Sequence, residues 1–90
     1  MTWKIGFSKQ AEKFLATNRL TKEDIFSLLS KAIKRLRGDD VNIDLKALKG
    51  VWRGFYRIRK GELRIIVSFD FVRSFIKVDV IDWRSGVYRP

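Results

Sequence analysis

The sequence predicts an α+β fold of order β-α-α-β-β-β, with two N-terminal helices packed on a twisted, mainly antiparallel sheet. Two observations carry that expectation. Apolar residues recur every three or four positions in the first half of the chain and every second position in the second half. Turn-forming residues separate these segments with no linker or repeat between them, so residues 1–90 are expected to form a single domain.

Residues 2–7, TWKIGF, alternate Trp3, Ile5 and Phe7 with Lys4 and Gly6, the pattern of a strand with one buried face. Ser8 is placed to cap a short helix that carries Ala11, Phe14 and Leu15 on one side. NRLT breaks that helix, and Thr21 with Asp24 three residues later has the spacing of a capping box. Ile25, Leu28, Leu29, Ala32, Ile33 and Leu36 then form one stripe, opposite Lys31, Lys34, Arg35 and Arg37. This is an amphipathic helix of about four turns, with cations late in it where the helix dipole favours them. Gly38, Asp39 and Asp40 end it.

Residues 41–50, VNIDLKALKG, read as a connection pinned to the core by Ile43, Leu45 and Leu48. Three strands are expected after it, at about 52–60, 62–70 and 73–82, joined by a tight turn in RKGE and by DFVRS. In the middle strand Leu63, Ile65, Val67 and Phe69 share one face, and Arg64, Ile66, Ser68 and Asp70 the other. In the last, strict alternation sets Ile76, Val78 and Val80 against Phe75, Lys77, Asp79 and Ile81. Gly50, Gly54 and Gly61 read as turn or bulge glycines.

Charge narrows the function. Twenty Lys and Arg against ten Asp and Glu leave a net +10, a field that attracts polyanions such as nucleic acid or an acidic protein. There is no histidine, which removes the commonest general base and metal ligand. There is no cysteine either, which excludes disulfides and thiolate metal sites and fits a reducing compartment. No apolar run approaches the roughly 20 residues of a membrane span, and MTWKIGFSKQAEKF lacks the apolar core of a secretory signal. A cytoplasmic protein with no membrane partner, no metal and no cofactor is the expectation.

The cations cluster. From Lys46 to Arg64 run seven of them, Lys46, Lys49, Arg53, Arg57, Arg59, Lys60 and Arg64, against one acid, Glu62. Period-2 alternation puts Arg53, Phe55, Arg57 and Arg59 on one strand face, with Trp52, Tyr56 and Ile58 on the other, and the hairpin brings Arg64 alongside. A solvated face would pair such arginines with acids, but few acids lie near them in sequence, and like charges across strands destabilise a sheet. Phosphate binding is the economical reason to tolerate that repulsion, and on this reading the arginines are dispensable for folding. Trp3 and Trp52 read as packing residues, while Trp83 is open between packing and stacking on an unpaired RNA base.

The segments ALKGVWRGFYRIRKGELRIIVSFD and VDVIDWRSGVYRP resemble the RelE/ParE superfamily of type II toxin–antitoxin toxins, and within it the RelE-like branch. The resemblance covers nearly the whole chain. It implies a small α+β toxin that acts on messenger RNA in the ribosome, where the ribose 2′-OH attacks the adjacent phosphate. By motif it assigns Arg57, Arg59, Arg64, Arg84 and Tyr88 to catalysis. Lys46, Lys49, Arg53, Lys60 and Lys77 would hold the RNA. It also implies an acidic cognate antitoxin as partner, besides the ribosome and mRNA. Where the best-known RelE pattern has lysines this chain has Arg57 and Arg59, which grip phosphate well but cannot act as bases. The candidate bases are then Lys46, Lys49, Glu62, Asp79, Asp82 and Tyr88, with Lys46 and Lys49 favoured by the density of cations around them. A ParE-like inhibitor of DNA gyrase without hydrolytic activity, and a non-catalytic basic RNA- or ribosome-binding module, are the alternatives.

Overall fold

The computed structural model describes residues 2–83. Strand β1, Lys4–Phe7, leads into helices α1, Lys9–Thr17, and α2, Lys22–Leu36. Strand β2, Asp44–Ala47, and a 3-10 turn at Gly50–Trp52 follow. The chain continues through β3, Tyr56–Lys60, β4, Leu63–Asp70, and β5, Phe75–Trp83. The five strands form one sheet in the order β1-β5-β4-β3-β2, antiparallel except that β1 runs parallel to β5. The expected α+β class and helix–sheet layering are present. The expected connection at 41–50 contains a short edge strand, and the strand expected from about residue 52 begins at Tyr56.

Local chemistry sets the helix ends as the sequence suggests. Ser8 Oγ accepts the amide of Ala11 at 3.1 Å and donates to the carbonyl of Asp79 at 2.6 Å, so one hydroxyl caps α1 and fastens it to β5. Thr21 and Asp24 form a reciprocal capping box at α2. The Asp24 carboxyl is held below its ordinary pKa, first by the backbone hydrogen bond from Thr21 and then by the threonine side chain. Gly61, at φ 59°, occupies the first of the two turn positions between β3 and β4, a conformation that side-chain-bearing residues rarely adopt.

Both helices lie on one face of the sheet. Ala11, Phe14 and Leu15 of α1 join Ile25, Leu28, Leu29, Ala32 and Ile33 of α2 over Ile58, Ile65, Val67, Ile76, Val78 and Ile81. No helix among the described residues is long and apolar enough to cross a membrane.

Strict alternation fails in one place. The β4–β5 register pairs Ile66 with Val80 and Val67 with Val78, leaving Asp79 as the extra residue of a bulge. A one-residue insertion reverses the faces beyond it. Ile81, expected on the outer face, is therefore fully buried in the core, while Val80 moves to the outer face and is only partly buried. Ile81→Ala is expected to cost about 3 kcal/mol, the usual range for emptying a buried Ile, and Val80→Ala less than about 1.5 kcal/mol. Equal losses in chemical denaturation, or the reverse order, would contradict the bulge.

Candidate functional site

The face of the sheet away from the helices carries the cations. Strand β3 turns Ile58 toward the core and so presents Arg57 and Arg59 on the opposite side. In register, Arg59 stands across from Arg64 of β4 and Arg57 across from Ile66. On the other flank, β2 places Lys46 across from Arg57 and Asp44 across from Arg59. Lys46, Arg57, Arg59 and Arg64 line a shallow depression of about 250 Å³.

Arg57 is only 8% exposed, a burial unusual for arginine, and it lies between the β2 edge and the fully buried Ile66. Its Nη2 donates to Asp44 Oδ1 at 2.8 Å, and Arg59 Nε donates to Asp44 Oδ2 at 2.9 Å. One carboxylate thus joins two arginines that sit two residues apart on the same strand. Burial works to raise the Asp44 pKa, but the charge and hydrogen bond of Arg57, and then those of Arg59, outweigh it and hold the carboxyl below its ordinary value. The expectation that these arginines lack an acid partner is corrected here, because the acid comes from the edge strand that reads as a connection. Arg57 is also structural, so the expectation that it is dispensable for folding does not hold.

Arg64 differs from its neighbours. Its Nε is buried and has no hydrogen-bond partner among the described residues. A buried guanidinium nitrogen left in that state costs about 1–3 kcal/mol. Asp82 faces Arg64 in the β4–β5 register, but its Oδ1 accepts the Trp83 amide at 2.8 Å.

The remaining sequence candidates divide by position. Lys49 and Arg53 flank the 3-10 turn on exposed backbone and do not line the depression. Lys60 shares the parity of Ile58 and lines two grooves against α2, one beside Leu28 and Lys31 and the other beside Glu23 and Asp24. Lys77 lies 3.6 Å from Asp79, on the strand beyond β4. Trp83 is on the helix side of the sheet, 5.3 Å from Phe14 between ring centres, and its Nε1 donates to Asn18 Oδ1. Trp83 thus packs on α1 while remaining 43% exposed. Trp3 packs edge-on against Phe71, and Trp52 against Phe55. Arg84 and Tyr88 lie outside the described residues.

Four of the ten assigned residues are thus brought together, Lys46, Arg57, Arg59 and Arg64. Asp44 is the residue that sequence reasoning missed. The signal for it lies in the alternation of Ile43 and Leu45, both packed against the core, which puts Asp44 and Lys46 on the arginine face.

The Asp44 linkage has a definite sign. A carboxyl whose pKa is lower in the folded chain stabilises it above the unfolded pKa, and that contribution is lost as pH falls through the folded value. With 41% of its side chain exposed, Asp44 is screened by solvent, so Asp44→Asn is expected to cost up to about 1 kcal/mol at pH 7. The difference from wild type should shrink below about pH 4 and vanish at lower pH. A difference in melting stability that is constant from pH 7 to pH 2 would contradict the pairing.

No family model and no curated protein sequence matches the chain. Solved structures do. The chain is similar to the crystal structure of YafQ from E. coli, with a TM-score of 0.65 at 11% identity over 94% of this chain and 97% of that one. The YoeB–YefM complex from Staphylococcus aureus gives 0.62 at 18% identity, over 92% and 98%. The archaeal RelE–RelB complex from Pyrococcus horikoshii gives 0.57 at 26% identity, over 96% and 99%. Each likeness spans both chains almost completely, helices and sheet together. In fold, the chain matches the RelE-like toxins of these structures.

Proposed function

We propose that the chain is the toxin of a type II toxin–antitoxin system and acts as a ribosome-dependent mRNA endoribonuclease. The observation that supports this most is the depression of four cations on the sheet face away from the helices, one of which, Arg64, has a buried Nε without a partner among the described residues. A phosphodiester supplies the acceptors that such a group lacks. The fold agrees with that reading, and the YoeB–YefM and RelE–RelB structures are complexes of two proteins. An acidic cognate antitoxin is the corresponding partner here, matched to the net charge of +10.

The groups present suit the following reaction. The ribose 2′-oxygen attacks the adjacent phosphorus, its proton leaves, the bond from phosphorus to the 5′-oxygen breaks, and that oxygen takes up a proton. Arg57, Arg59 and Arg64 would stabilise the extra negative charge on the phosphorane-like transition state. Arginine does not give up its proton, so Lys46 is the lining residue able to transfer one. A clamp built from charge grips backbone and carries little base information, so placement of the message falls to the ribosome. The place of action is then the cytoplasm, with ribosome and mRNA as partners.

The test is purified protein on translating ribosomes, followed by primer extension and end-group analysis. Upstream fragments should end in a 2′,3′-cyclic or 3′-phosphate and downstream fragments in a 5′-hydroxyl. A 2′-methoxy group at the cleaved position should block the cut, and naked RNA should be cut poorly. Lys46→Arg keeps the charge and should lower cleavage about 100-fold or more, the usual worth of a positioned proton-transfer group. Arg64→Ala should lower it by a similar factor while leaving the fold intact. Intact message together with inhibited gyrase supercoiling would replace this reading by the ParE-like one. Intact message with active gyrase would leave a non-catalytic RNA-binding module.

A further inference from the structure

Asp44 commits both carboxylate oxygens to arginines of the depression, at 2.8 Å from Arg57 Nη2 and 2.9 Å from Arg59 Nε. It does not line the depression itself. It stands at the rim, in the adjoining groove of about 300 Å³ that it shares with Arg59, Lys60 and Lys31. A phosphodiester entering the depression therefore meets four cations and, directly bonded to two of them, a fixed negative charge. Each arginine engages Asp44 through one nitrogen, which leaves its remaining nitrogens for a second anion. Two anions held by one arginine pair repel each other, and the repulsion is moderate because Asp44 is partly exposed.

We propose that Asp44 is a specificity-determining residue, a resident anion that weakens the grip of the depression on phosphodiesters that arrive by charge attraction alone. Its consequence is that a chain of net +10 does not bind every passing RNA at its active face. Only a phosphate delivered in the right position makes enough contacts with Arg57, Arg59 and Arg64 to offset the carboxylate. This deepens the reading of the same depression as an RNA-cleaving site and rests on it. A purely structural Asp44, tying β2 to β3, would act with the opposite sign. Its removal would then let the arginines drift and would weaken anion binding. The ladder of four residue pairs between β2 and β3 also holds that edge, so Asp44 contributes to stability without being the sole tie between the strands.

The experiment compares wild type with Asp44→Asn, Asp44→Ser and Asp44→Glu for binding of a short 2′-O-methyl oligouridylate, by fluorescence anisotropy across a salt series. Thermal melts in the same buffer establish that each variant is folded. The Asn and Ser variants should bind about five- to tenfold tighter at low salt, with a logarithmic salt slope steeper by up to about 0.7. The Glu variant, which keeps the charge, should stay near wild type. Unchanged or weaker binding by the folded Asn and Ser variants would overturn the proposal, as would equal tightening by Glu. The probe has no 2′-hydroxyl, so its binding is independent of cleavage. Tighter binding by Asn and Ser, in a protein that leaves ribosome-held message intact, would remove the nuclease reading alone. Wild-type cleavage with no tightening in the variants would remove the role of Asp44 alone.

Discussion

The whole arrangement depends on a sheet that, among the described residues, carries its helices on one side only. Two short helices supply a single apolar layer, and the sheet answers it with Ile58, Ile65, Val67, Ile76, Val78 and Ile81. Because a strand alternates its faces, every residue driven into that core fixes its neighbours on the opposite side. Ile58 places Arg57 and Arg59 there, and Ile65 places Arg64. A second helical layer would have required apolar residues at these positions. Among the described residues none lies there, and charge accumulates on an ordered backbone, where rigid strands hold it more precisely than loops would.

Such a surface has a cost that the local chemistry manages. Arg59 and Arg64 face each other across β3 and β4, an arrangement that destabilises a sheet. Arg57 is buried, which for an unpaired cation would be worse. Asp44 relieves both by bonding Arg57 and Arg59 at once, at the price of lowering the local positive charge by one. Arg64 is left with a buried Nε that has no partner among the described residues. Neighbouring side chains therefore differ in how they are satisfied. Arg57 is anchored by Asp44, Arg59 shares that carboxylate, and Arg64 Nε has no partner among the described residues.

Most of the fold was legible because its signals are local. The Ser8 cap, the Thr21–Asp24 box, the apolar stripe of α2 and the glycine turn at Gly61 each depend on residues a few positions apart. What escaped depends on pairing across the chain. Strand β2 has four residues and an exposed pattern, and only its pairing with β3 makes it a strand. With it went Asp44, whose partners lie 13 and 15 residues away. The bulge at Asp79 escaped because Val80 and Ile81 are equally apolar and branched, so composition could not say which one faces inward. The basic run from Lys46 to Arg64 misled for a related reason. A run of charges ignores faces, and Lys60 belongs to the helix side while Lys49 and Arg53 belong to the turn.

The central claim is that the cationic depression receives the phosphate of an RNA chain, with Arg64 completing its hydrogen bonds on that ligand. A structure of the protein bound to ribosome-held message, made uncleavable by a 2′-methoxy group at the target position, tests it most directly. The expected result is a backbone phosphate between Lys46, Arg57, Arg59 and Arg64, with an oxygen within about 3 Å of Arg64 Nε. A message that passes elsewhere on the protein, leaving Arg64 Nε without an acceptor, would contradict it.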